Sequence, residues 1–172
     1  AKAAGRRARV FCNSLADVFE DRPELRAPRA RLYKLIRDTP HLDWLLLTKR
    51  PENAARLWAQ ANADANGGEI VGPVWGPNVW FGGTAENQDQ ANLRVPQIIA
   101  VPAAVRFLSV EPMLGLVDLT FLRGPGMPQL NALNGYVYGN TEHPRYSAGD
   151  HSRINWVICG GESGRNARPM HP

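Results

Sequence analysis

The sequence predicts an α/β fold, a partial (β/α) barrel of parallel strands built from about five βα units. Three observations predict it. Short, nearly continuous apolar runs recur five times, at residues 8–12, 42–47, 78–82, 105–110 and 154–159, and each ends in a polar or glycine-rich stretch. Runs of this kind suit strands buried on both faces, as a helix-covered parallel sheet requires. Segments with helical spacing lie between them, and the strand-helix-strand alternation, repeated about every 25 to 50 residues, argues for right-handed βαβ units. Five units cannot close an eight-stranded barrel, which takes about 250 residues, so the choice lies between an open sheet and part of a barrel, with the latter preferred.

The first run leads to an amphipathic helix over 29–37, in which Leu32, Leu35 and Ile36 share one face and Arg31, Lys34 and Arg37 point elsewhere; Thr39-Pro40 stops it. After the second run, Pro51 suits the first position of a helix that places Ala54, Leu57, Trp58 and Ala61 on one side and closes at Asn66-Gly67-Gly68. The third run precedes a helix from about Gln88 towards Ile99, which Pro96 should bend or interrupt. Residues 122–153 then break the pattern as an irregular, turn-rich insertion loop without helical period. The fifth run ends in Gly160-Gly161, and 165–172 follow without the helix that should cover the strand. The expectation is a single α/β domain fragment over 1–172 that stops mid-fold.

Composition narrows the function classes. With 172 residues, 44% hydrophobic and 21% charged, the chain can bury one core and is neither disordered nor fibrous. No apolar run approaches the roughly 18 to 20 residues of a membrane span, and no apolar segment follows the charged start, so no membrane association and a cytoplasmic setting are expected. Cys12 and Cys159 are too few for a disulfide framework or a zinc site made of thiolates, and both suit buried, structural positions. The net charge of +4 rests mainly on arginine, which favours bidentate contact with carboxylate or phosphate. Because acids are interleaved with the bases, a solvated surface outweighs a nucleic-acid stripe, while an anionic ligand or nucleic acid stays open as a partner.

In parallel α/β folds, functional groups gather where strands end, because the loops there converge. The residues after each run are therefore the candidates: Ser14 and Asp17; Thr48, Lys49 and Arg50; Glu86 and Asn87; Ser109 and Glu111; Gly160, Gly161 and Glu162. Three strands deliver a glutamate to one rim, and a fourth delivers Lys49 and Arg50 at a helix start, where cations oppose the dipole unless an anion compensates. Gly160 and Gly161 suit either a turn with positive φ or the close approach of a ligand. Cys159 reads as core rather than nucleophile. His41, His143, His151 and His171 show no metal-ligand spacing, so no metal residues are assigned.

Five segments, 10–19 (VFCNSLADVF), 44–53 (WLLLTKRPEN), 79–88 (VWFGGTAENQ), 106–112 (RFLSVEP) and 156–164 (WVICGGESG), together resemble a phage-associated family of unknown function, the phage gp thirty-seven and gp sixty-eight type. Its members look like radical S-adenosylmethionine enzymes. The resemblance implies a radical-SAM-like partial barrel in which a cysteine motif holds a [4Fe-4S] cluster that binds S-adenosylmethionine and cleaves it to a 5′-deoxyadenosyl radical. The family's cysteines lie upstream of the segment matching Arg9, and its C-terminal part lies beyond 168–172, so the chain resembles the central part, incomplete at both ends. By position, Ser14, Asp17, Glu86, Ser109, Glu111, Gly160, Gly161 and Glu162 correspond to the cofactor crevice, and Lys49, Arg50 and Asn87 to the substrate; catalytic residues stay unassigned. Gly83 and Ala85 stand where larger residues are expected.

The leading expectation is thus the central part of a radical-SAM-like barrel protein, inactive alone, whose parent acts on a nucleotide or nucleic acid if it carries the cysteine motif. Two alternatives come from other classes. One is a barrel glycoside hydrolase using two of Glu86, Glu111 and Glu162 as acid and base. The other is a non-catalytic nucleic-acid-binding module.

Overall fold

A computed structural model describes residues 7–12, 16–124, 128–138, 146–147 and 153–168. Five parallel strands form a sheet curled into a half-barrel: β1 (Ala8–Cys12), β2 (Leu42–Thr48), β3 (Val79–Thr84), β4 (Val105–Val110) and, after three short strands, β8 (Trp156–Cys159). The spatial order β1-β2-β3-β4-β8 follows chain order among these strands, so every strand end emerges on the same side. All five apolar runs became strands of this sheet. The sheet is thus the parallel α/β architecture that continuous apolar runs require.

Helix α1 (Arg26–Asp38) follows a 3-10 turn at Pro23–Leu25. Its buried stripe is Arg29, Tyr33 and Ile36, while Leu35 is 48% exposed. The expected apolar face was therefore rotated, because Arg29 takes a core position by donating to the Val18 and Glu20 carbonyls, both at 2.7 Å. Pro51 opens a 3-10 turn, Pro51–Asn53, rather than the helix itself; α2 (Ala54–Ala65) then buries Ala54, Leu57, Trp58 and Ala61 as the spacing predicts. It ends where Gly68 (φ +106°) donates its N–H to the Ala63 carbonyl at 2.8 Å.

Helix α3 (Gln88–Ala100) is capped by Asn87, whose side chain accepts from the Gln90 N–H at 3.0 Å. It runs through Pro96 without interruption. A proline removes only its own N–H from the ladder, and Pro96, Val95 and Ile98 are buried together, so packing outweighs the local loss.

Within 122–153, the turn-rich stretch carries a small antiparallel sheet, β5 (Gln129–Asn131), β6 (Tyr136–Tyr138) and β7 (Tyr146–Ser147), in place of a fully irregular loop. Strands of two or three residues are too short to leave a period-2 signal. On the helix side of the main sheet, Phe19, Trp58, Trp75 and Phe81 pack edge to face or tilted at centroid distances of 5.3–6.3 Å. Among the described residues, no helix is long and apolar enough to cross a membrane.

Candidate functional site

The loop after β1 returns Asp17 to the sheet, where its carboxylate gathers four donors from two loops. Oδ1 accepts from the Phe19 N–H (2.9 Å) and from Thr48 Oγ1 (2.7 Å); Oδ2 accepts from the Lys49 N–H (3.0 Å) and Arg50 Nη1 (3.2 Å). Thr48, the last residue of β2, in turn accepts the Arg50 N–H at 2.8 Å. Arg50 also approaches Glu20 at 3.6 Å. The cation that opposes the helix dipole is thus compensated by two carboxylates, as its position after β2 demands.

One strand further on, Glu86 sits between two cations. Lys49 Nζ lies 3.6 Å from Oε1, and Arg94 Nη1 lies 3.0 Å from Oε2. Arg94 reaches back from α3 and also donates to the Thr84 carbonyl at 3.0 Å. No strand-end rule points to Arg94. The available signal was helical: position 94 lies two turns after Asn87, on the face that α3 turns toward the end of β3.

Glu111 follows β4 and accepts from Ser109 Oγ at 2.9 Å. Gly160 lies against its carboxylate, so closely that a β-carbon at 160 would overlap Glu111 Oε1. The Gly160 carbonyl accepts the Met113 N–H at 2.9 Å, and the Glu86 carbonyl accepts the Leu114 N–H at 2.9 Å, so the chain after β4 bridges its neighbours on both sides. Neither Gly160 nor Gly161 has positive φ; Gly164 does (φ +108°). Close approach, not turn geometry, is the reason for glycine at 160.

Glu162 behaves differently from Glu86 and Glu111. Its carboxylate accepts the Arg168 N–H, Nε and Nη2 at 2.7–2.9 Å, and these bonds hold its pKa down at about 2. It closes its own loop. Asn87 has its side-chain oxygen committed to capping α3. Ser14 lies outside the described residues.

The small residues at 83 and 85 have a packing reason. A β-carbon at Gly83 would stand 2.6 Å from Ile98 Cδ1, and Ala85 is fully buried, so larger residues would push α3 off the sheet. Cys12 is half-buried, with its thiol pKa pushed up by burial, and Cys159 is exposed rather than core. They occupy β1 and β8, the two outer strands of the sheet. A [4Fe-4S] cluster needs at least three thiolates converging on one point, so the cysteines of this chain do not fit one. Among the described residues, no group of three or more His, Cys, Asp or Glu is placed to hold a metal ion.

The rim therefore joins Asp17, Thr48, Lys49, Arg50, Glu86 and Arg94 into a row of alternating charge, continued by Glu111. Lys49 and Arg50, with side chains 57% and 43% exposed, and the exposed Glu111 are the members that face solvent. A profile described as "Protein of unknown function (DUF5131)" matches residues 2–172. No curated protein matches the chain. No solved structure matches it either.

Proposed function

Because the chain belongs to this family of proteins of unknown function, DUF5131, we propose its role from the strand-end rim: it binds a small zwitterionic ligand, S-adenosylmethionine, as the central part of a radical-SAM-like barrel protein. One observation carries the reading. Carboxylate and cation alternate along neighbouring strand ends, and among the solvent-facing members Lys49 and Glu111 offer opposite charges on one rim. A carboxylate suits Lys49, and an ammonium or sulfonium suits Glu111. When bound beside a cluster, S-adenosylmethionine supplies radical chemistry; the cluster's ligands are assigned to the parent protein outside this chain, with a nucleotide or nucleic acid as the parent's substrate. Within this chain, Ser109 holds the Glu111 carboxylate, and Asp17 fixes the loop that carries Lys49.

The two other readings draw less support. Glu162, with its pKa at about 2, is ionised at neutral pH and is a poor general acid for glycoside hydrolysis, and Glu86 is engaged by Lys49 and Arg94. Arg7, Arg26 and Arg56 each engage an aspartate, at 3.3, 2.8 and 2.6 Å, which weakens the case for a continuous basic stripe on nucleic acid. Equilibrium dialysis of the chain with S-adenosylmethionine tests the proposal. Binding that exceeds that of adenosine and weakens about tenfold in both Lys49→Met and Glu111→Gln is expected, each change removing one charge-assisted contact. Equal affinity for adenosine and S-adenosylmethionine overturns it.

A further inference from the structure

Outside the rim, a second concentration of charge lies where α1 begins. Arg22, Arg26, Arg29 and Arg56 line one cleft of about 220 Å³ with Asp21 and Gln60, so four cations face a single lining carboxylate. Three of the arginines already touch acids. Arg26 forks onto Asp64, with Nε and Nη2 both at 2.8 Å; Arg56 Nη2 meets Asp21 at 2.6 Å; Arg22 stands 3.7 Å from Glu24. Each of these contacts leaves guanidinium N–H groups unused, since arginine carries five.

Arg29 is the exception that gives the cleft its meaning. It is only 4% exposed, and its two hydrogen bonds go to neutral carbonyls, those of Val18 and Glu20. Among the described residues, no carboxylate lies within ion-pair distance of it. Burial lowers its pKa; Asp21, in the same cleft, is the largest influence against it, followed by Arg56, which lowers it, and Asp17, which raises it. A guanidinium does not give up its proton, so this wall of the cleft keeps a full charge with no counterion in contact. Helix α1 opens beside it without a side-chain cap, and the positive end of the helix dipole adds to the same sign.

We propose that this cleft is a binding site for a phosphate group. A tetrahedral dianion presents more oxygens in more directions and a larger charge than a carboxylate, so it accepts from guanidinium groups on different sides at once. Asp21 occupies part of the site in the free protein and is displaced from Arg56 when the anion enters. The inference goes beyond the rim reading and does not depend on it: none of these arginines takes part in the row of charge that joins Asp17 to Glu111.

The test is a titration of the isotope-labelled chain with inorganic phosphate, with AMP and with adenosine at constant ionic strength, read by amide shifts. Saturable binding of phosphate and AMP is expected, with adenosine silent. AMP no tighter than inorganic phosphate assigns the site to the free anion; tighter AMP assigns it to a phosphate ester. The double variant Arg22→Gln/Arg56→Gln changes only exposed side chains and should weaken binding about tenfold, whereas Arg31→Gln, on α1 but away from the cleft, should leave it unchanged. Asp21→Asn should tighten binding several-fold by removing the competitor. Phosphate shifts that do not saturate, that survive the double variant or that weaken in Asp21→Asn overturn the proposal.

Discussion

Glu86 and Glu162 hold the same place in the sequence pattern, shortly after an apolar strand, and they end in different surroundings. Glu86 leaves β3, the middle strand of five, and draws Lys49 from the neighbouring loop and Arg94 from the helix that follows. Glu162 leaves β8, an outer strand, and finds its partner six residues away in its own loop. A strand flanked on both sides receives side chains from several elements, so its trailing residues are knitted into a shared rim. On the outer strand β8 local contacts take over, whereas the loop after the other outer strand, β1, folds back so that Asp17 reaches the end of β2. Where the loop after the strand travels, not the residue type it carries, decides whether a polar group joins the common site.

The largest test of this contrast is Asp17→Ala. The substitution removes the acceptor for four hydrogen bonds from two loops and leaves Arg50 with Glu20 alone, at a cost of about 2 to 4 kcal/mol in urea unfolding. A loss below about 1 kcal/mol would show that Asp17 is no better knitted into the rim than Glu162 is into its own loop.

The glycines sharpen the same contrast. A β-carbon at Gly82, on β3, would stand 2.6 Å from three ring atoms of the fully buried Phe107, so Gly82→Ala should cost about 1 to 3 kcal/mol. Gly160→Ala meets the far end of the exposed Glu111, which can swing aside; its expected cost is under about 1 kcal/mol, with the Ser109–Glu111 bond lost. The two are compared by thermal unfolding, and equal losses would break the distinction between middle and edge.

The smallest effect belongs to Glu162. Its folded pKa is depressed from 4.5 to about 2, so the contact with Arg168 is fully present above the ordinary carboxylate pKa and is lost as pH falls toward about 2. A carboxyl-carbon NMR titration should place its midpoint near 2, and because solvent screens this surface pair, Glu162→Gln should lower the unfolding midpoint only slightly. A midpoint near 4.5 would mean that the loop is open in solution.

The inner strands β2, β3 and β4 were legible because burial on both faces leaves continuous apolar runs, whereas β1 and β8 carry runs of the same kind but, as outer strands, are exposed or half-buried instead of covered on both faces. The helices were legible for α2, whose buried residues follow its period, and less so for α1, where Arg29 replaced a leucine on the buried face by satisfying two carbonyls from another loop. The insertion hid β5, β6 and β7 because strands that short carry no period.

By itself, then, the sequence determined which segments form the parallel sheet and that their trailing ends emerge on one side, since periodicity and turn chemistry are local properties. Only the tertiary structure decided which of those ends meet. Arg94 joins Glu86, Asp17 takes donors from a loop more than thirty residues on, and Glu162 turns to Arg168, and each choice depends on how helices and outer strands pack in space. Asp17 finds its donors far along the chain, and even the pairs six and eight residues apart depend on which way a loop or helix turns, so spacing along the chain does not by itself fix them.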